Sequence, residues 1–247
     1  MSKHVAVVTG GTGGIGTAIC QRLALSGYHV IACYYKKGNH GEAKQWQEKQ
    51  QKNGLDIDIL YANIAYFEDC ENLTQLVVER YGCIDVLVNN AGITCDVSFK
   101  KMSSHQWQHV IDANLNSIFN MTRNVLPVML DKNYGRIISI SSINGRKGQF
   151  GQCNYSASKA ALYGFTKSLA REVAAKGITV NTISPGYIET PMLGAMQENI
   201  LKSIVLDIPV GRLGKPEEIA DAVTFFANPD SGFITGANLD INGGQYM

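Results

Sequence analysis

The sequence predicts an α/β fold, a doubly wound parallel sheet flanked by helices on both faces. Short β-branched runs alternate with longer amphipathic segments from the first residues onward, and a glycine-rich turn follows the first run. A length of 247 residues suits one unit of this class, and no linker composition or internal repeat divides the chain. Residues 1–247 therefore read as a single domain.

Val5 to Thr9 is a nearly continuous apolar run, as a strand buried on both faces requires. Ile15 to Ser26 then carries apolar residues at helical spacing. Val30 to Cys33 is the second strand, Glu42 to Lys52 the second helix, Ile57 to Tyr61 the third strand and Asp69 to Tyr81 the third helix. Asp85 to Asn89, the fourth strand, precedes one long helix from Trp107 to Leu130. Arg136 to Ser141 leads to a second long helix, Tyr155 to Ala175, and Thr179 to Ser184 is the sixth strand. A further helix opens at Pro216, where Pro-Glu-Glu suits a first turn: proline lacks an N–H that would go unpaired, and acids favour the positive end. Asn238 to Ile241 adds a last strand. In such a sheet ligands lie across the carboxyl ends of the strands, so the residues just after each strand carry the function.

Hydrophobic residues make up 45% and charged residues 17% of the chain, a composition that can bury a sizeable core. The 22 lysines and arginines nearly balance the 21 acids and are scattered, which argues against nucleic acid or a membrane surface as partner. A small molecule is the expected ligand. Met1 to His4 runs into the first strand without a signal-peptide core, and no apolar run approaches membrane-spanning length. Six cysteines without a C-x-x-C pair read as reduced thiols. Together these predict a cytoplasmic location.

After the first strand comes Thr9-Gly10-Gly11-Thr12-Gly13-Gly14-Ile15-Gly16. Glycines there let the backbone approach a pyrophosphate, and the following helix offers free N–H groups and a positive dipole end. Gly10, Thr12, Gly13, Gly14, Ile15 and Gly16 are thus candidate cofactor-binding residues. The end of the second strand usually decides the nucleotide: an acid there holds the ribose of NAD and repels the 2'-phosphate of NADP. Here the chain reads Tyr34-Tyr35-Lys36-Lys37, with no acid before Glu42. NADP(H) is the expected cofactor, with Lys36 and Lys37 beside the phosphate.

Tyr155 and Lys159, four apart on a helix, share a face, so the ammonium is expected near the phenol. A nearby positive charge favours phenolate, which would lower the tyrosine pKa from its usual value of about 10. Tyr155 could then protonate a carbonyl oxygen as negative charge grows on it, while the Ser142 hydroxyl stabilises that charge.

Asn89-Asn90-Ala91-Gly92, Ser141-Ser142 and Tyr155-Ser156-Ala157-Ser158-Lys159, in register with the glycine loop, resemble the short-chain dehydrogenase/reductase family. The resemblance spans essentially the whole chain and includes Asn114 and Asn181-Thr182-Ile183-Ser184-Pro185-Gly186. It implies a Rossmann-type sheet, with Ser142, Tyr155, Lys159 and Asn114 as catalytic residues. Lys159 would also hold the nicotinamide ribose, and Asn114 would help a water connect Lys159 to solvent. Asn63, Asn90, Ala91, Gly92, Pro185, Gly186 and Ile188 would complete the cofactor site, with Thr190 near the carboxamide. Family members commonly form tetramers through the two long helices, so a homotetramer is implied.

Between Ser142 and Tyr155 the stretch Asn144-Gly145-Arg146-Lys147-Gly148-Gln149-Phe150-Gly151-Gln152-Cys153-Asn154, with Tyr187 later, is similar to reductases that convert acetoacetyl-CoA to (R)-3-hydroxybutyryl-CoA for polyhydroxybutyrate. That similarity places Asp96, Gln149, Phe150, Gln152 and Tyr187, with Ser142 and Tyr155, around an acyl-CoA thioester. Two alternatives stay open: reduction of a 3-oxoacyl group on acyl-carrier protein, and a nucleotide-binding module without catalysis. Carrier protein is acidic and calls for a basic docking surface; Asp131-Lys132-Asn133 is mixed in charge, although Lys176 would suit docking. His105 and His109 imitate a zinc motif, but Gln106 replaces the glutamate and no third ligand is evident, so no metal is expected.

Overall fold

A computed structural model describes residues 3–35, 40–190 and 198–247. In chain order it contains β1 (Val5–Thr9), α1 (Gly14–Leu25), β2 (His29–Tyr34), α2 (His40–Lys52), β3 (Ile57–Tyr61), α3 (Phe67–Tyr81) and β4 (Val86–Asn89). There follow α4 (Ser104–Ile111), α5 (Ser117–Lys132), β5 (Gly135–Ile140), α6 (Asn144–Lys147), α7 (Cys153–Val173), β6 (Ile178–Pro185), α8 (Glu198–Leu206), α9 (Pro216–Ala227) and β7 (Asn238–Ile241). The seven strands form one parallel sheet in the order β3-β2-β1-β4-β5-β6-β7. The order reverses between β1 and β4, which opens a crevice at their carboxyl ends.

Alternation along β1 shows why its strand sequence is apolar throughout. Ala6 and Val8 pack with Ile19, Leu23, Val223 and Phe226 on one face, while Val5 and Val7 pack with Leu73, Val77, Met121 and Val125 on the other. Both faces are covered, the first by α1 and α9, the second by α3 and α5. The predicted strands match within about one residue at each end, a scatter normal for element boundaries.

The helix expected from Trp107 to Leu130 differs. It begins earlier, because Ser103 caps it: Ser103 Oγ accepts from Gln106 N–H at 3.2 Å, and the Gln106 side chain accepts from Ser103 N–H at 2.9 Å. It is also not one α-helix. Asp112–Asn116 forms a π-helical turn between α4 and α5, which fits one extra residue into the helix and re-aims the side chain of Asn114.

The amino ends of the strands carry buried charge. Asp85 accepts from Val5 N–H at 2.8 Å and lies 3.5 Å from both His4 Nδ1 and Lys132 Nζ. Arg136 is held by the carbonyls of Gly135, Gly177, Asn228 and Pro229 and sits 4.5 Å over the Tyr134 ring.

Candidate active site

The glycine loop packs too closely for side chains. A Cβ on Gly16 would lie 2.1 Å from the Gly10 carbonyl oxygen, and one on Gly11 2.8 Å from Ala32 Cα. Gly10 adopts φ of +63°, which glycine tolerates. Gly13 and Gly14 are exposed, and the amino end of α1 has neither a side-chain cap nor an acid in its first turn. Its N–H groups are therefore presented outward, as a pyrophosphate requires. Thr9, absent from the sequence-based site, braces this loop: its hydroxyl accepts from the N–H groups of Asn90 (3.0 Å) and Ala91 (3.1 Å). Asn90 Nδ2 returns the contact to the carbonyls of Thr9 (2.9 Å) and Gly10 (3.2 Å). Asn90 thus shapes the cradle. Asn63 is likewise engaged locally, donating its N–H to Asp69 at 2.8 Å and accepting from Ala65 N–H at 3.3 Å. Lys36 and Lys37 lie outside the described residues. The Tyr34 hydroxyl meets His40 Nδ1 at 2.7 Å.

At the carboxyl ends of β4 and β5 the structure brings together Ser142, Tyr155, Lys159, Asn114 and Gly92. Lys159 is 3% exposed; its Nζ donates to the Ile140 carbonyl at 2.7 Å and lies 5.8 Å from the Tyr155 ring centre. A Cβ on Gly92 would stand 3.3 Å from both Lys159 Nζ and Asn114 Oδ1, so glycine keeps this space open. Asn114 is fully buried and clasps Ile93 through both backbone groups, accepting its N–H at 2.8 Å and donating to its carbonyl at 2.9 Å. Its other amide hydrogen reaches Ser158 Oγ at 3.2 Å. Ser142 Oγ accepts from Asn144 N–H at 3.1 Å, which leaves the hydroxyl hydrogen to donate elsewhere.

One electrostatic expectation is corrected. The Tyr155 pKa is raised, not lowered: burial of its hydroxyl is the largest cause, a hydrogen bond with Ser142 opposes it, and the Asp96 carboxylate adds to the rise. Lys159 does not offset this, because it is itself desolvated and turned to Ile140; burial pulls its own pKa down to about 8.

The substrate candidates divide. Gln152 Nε2 donates to Asp96 at 2.8 Å while its oxygen accepts from Asn144 Nδ2 at 2.9 Å, so Asp96, Gln152 and Ser142 share one network through Asn144. Tyr187 is half-buried, its pKa raised by burial and then by Asp96 and Asp207. Gln149 and Phe150 stand apart on an exposed turn, Phe150 at 89% exposure. Pro185 accepts from Ile143 N–H at 2.8 Å, and Gly186 passes so close to Asn242 that a Cβ would lie 2.8 Å from its Cα. Ile188 is buried in the apolar cluster with Ile219 and Val223. Asn144 and Asn154 were legible only as linking residues, yet Asn154 ties the amino end of α7 to the carbonyls of Cys95 and Gln106, both at 3.2 Å. His105 and His109 stack at 6.1 Å, and among the described residues no three His, Cys, Asp or Glu gather as a metal site.

Much of this sequence is shared with proteins of known name. Acetoacetyl-CoA reductase of Allochromatium vinosum is 50% identical over 245 residues, covering 99% of each chain. The 3-oxoacyl-[acyl-carrier-protein] reductase FabG of Vibrio cholerae is 42% identical over 247 residues, covering 100% of this chain and 99% of its own. The crystal structure of gox2181 superposes with a TM-score of 0.93 at 32% identity, covering 99% of this chain and 96% of that one. The short chain dehydrogenase family model matches residues 4–201, and the chain belongs to that family.

Proposed function

We propose that the protein reduces acetoacetyl-CoA to (R)-3-hydroxybutyryl-CoA with NADPH, as in polyhydroxybutyrate synthesis. The observation that carries the reading is the meeting of Ser142, Tyr155 and Lys159 beside an uncapped, acid-free helix start. When bound, the nicotinamide cofactor supplies the hydride. Tyr155 gives its phenolic proton to the carbonyl oxygen as charge develops there, against a burial that raises its pKa and makes it a weaker acid than a free phenol. Ser142 donates a hydrogen bond to the same oxygen. Lys159 and Asn114 hold the polar floor beneath them.

The absence of an acid between Tyr34 and Glu42 favours NADPH over NADH. Asp96, Gln152 and Tyr187 are assigned to the thioester, with Phe150 as an apolar group at the rim. Greater identity to the acetoacetyl-CoA reductase than to the carrier-protein reductase favours CoA. We also infer one domain, a homotetramer built on the helices around α5 and α7, and a cytoplasmic location that suits six unpaired thiols.

Steady-state NADPH oxidation tests this, with acetoacetyl-CoA and acetoacetyl-carrier protein compared and NADH as control. A much larger kcat/KM for the CoA thioester with NADPH is expected. Preference for the carrier protein would move the enzyme to fatty-acid synthesis.

A further inference from the structure

One side chain beyond this cluster gathers oxygens from both strands that floor the site. Tyr163, two turns along α7 from Tyr155, places its hydroxyl 3.1 Å from Ser141 Oγ, 3.2 Å from the Ser142 carbonyl and 3.0 Å from Ser184 Oγ. Ser141 Oγ is committed to the Lys159 carbonyl at 2.8 Å, and Ser184 Oγ donates to Asn238 Oδ1 at 2.7 Å. With both serine hydrogens directed elsewhere, the Tyr163 hydrogen goes to the Ser142 carbonyl or to Ser184 Oγ. The ring is supported from behind. Asn238 Nδ2 donates to Asp240 at 3.1 Å, Asp240 lies 3.5 Å from Arg146, and the Arg146 guanidinium sits 5.5 Å over the Tyr163 ring. The contacts close a circuit through α7, β6, β7 and α6.

We infer that Tyr163 is a positioning residue for the proposed carbonyl reduction, fixing the Ser142 backbone so that the Ser142 hydroxyl stays aimed at the reacting oxygen. The inference rests on the roles proposed above for Ser142 and Tyr155. Ser142 lies beyond the last residue of β5; its carbonyl accepts from Gly145 N–H at 3.0 Å and stands 3.2 Å from the Tyr163 hydroxyl, one of the two acceptors open to that hydrogen. Removing the phenol oxygen takes away the direct contact between the Ser142 carbonyl and α7, leaving the neighbouring bond from Ser141 to the Lys159 carbonyl. Looser placement of a group that acts on the transition state lowers turnover more than it weakens substrate binding.

A double-mutant cycle on Ser142→Ala and Tyr163→Phe tests this. It is read as NADPH oxidation with any 3-oxo thioester or ester that the wild type reduces, alongside NADPH affinity by fluorescence titration. Tyr163→Phe alone is expected to lower kcat about tenfold, with KM and NADPH Kd changed less than about twofold. In the Ser142→Ala background the same change is expected to alter kcat less than about twofold, because the group being positioned is gone. A tenfold loss in both backgrounds, or no loss in the wild type, overturns the inference. Should Tyr163→Phe fail to fold, Arg146→Gln replaces it: about a threefold loss of kcat confined to the Ser142 background is expected, and an equal loss in both backgrounds overturns it. Failure of the wild type on acetoacetyl-CoA alone would count against the proposed substrate, since the cycle compares ratios on whichever carbonyl is reduced.

Discussion

Lys159 holds an ammonium at 3% exposure against the Ile140 carbonyl, and burial brings its pKa to about 8. An unfolded lysine titrates near 10.4, so the fold carries a penalty of roughly 3 kcal/mol. That penalty is complete below pH 8, where folded and unfolded chains both hold the proton, and is relieved as pH rises from 8 to about 10.4. Lys159→Met is therefore expected to raise Tm at pH 7 by a few degrees while abolishing turnover. Calorimetry showing a lower Tm would mean that the Ile140 hydrogen bond outweighs the burial. Tyr155→Phe is expected to lower kcat by at least about 100-fold and leave NADPH affinity within twofold, since it removes the proton but not the nucleotide loop. Near-normal turnover would refute the assigned proton donor. The spacing of Tyr155 and Lys159 was readable because a helix fixes which residues are neighbours. The direction of the Tyr155 shift was not, since depth below the surface belongs to no local pattern. Tyr163 escaped for a related reason: an aromatic at helical spacing reads as packing, and its partner Ser184, with Asn238 and Asp240 behind it, arrives from distant strands.

At the level of elements, the loop from β1 to α1 leaves no slack. Gly16→Ala puts a methyl into the Gly10 carbonyl, so the loop must shift. An increase of about tenfold or more in NADPH Kd is expected, read by fluorescence titration; an unchanged Kd would show that the loop is not the phosphate cradle. Strand limits followed closely from sequence because both faces of the sheet are covered, which makes each strand an apolar run bounded by polar turns. The helix around Asn114 was misread for two distinct physical reasons. Its start was encoded in Ser103 and Gln106, a capping pair that apolar periodicity passes over. Its π turn left the apolar spacing on either side nearly intact, so nothing in the period announced it.

Across the described residues the seven strands make one parallel sheet, with the proposed nucleotide crevice at their carboxyl ends. A ligand that binds only the folded chain at 100 times its Kd adds about 2.7 kcal/mol of stability. At equal concentrations NADPH is therefore expected to raise Tm more than NADH, and equal shifts in a thermal-melt assay would remove the case for NADP selectivity. The opposite edge of the same strands bears the Asp85 group and the carbonyl-bound Arg136. Five strand residues put these about 16 Å from the crevice. Arg136→Met is expected to lower Tm by several degrees, by removing the buried guanidinium's bonds to four backbone carbonyls, while specific activity of the folded fraction stays unchanged. Lys159 apart, whose burial sets stability against chemistry within the site itself, these charge contacts give the molecule a pole of durability away from the chemistry. Mutations that harden the protein can accumulate at one pole while those that retune its substrate accumulate at the other, with neither set obliged to wait for the other.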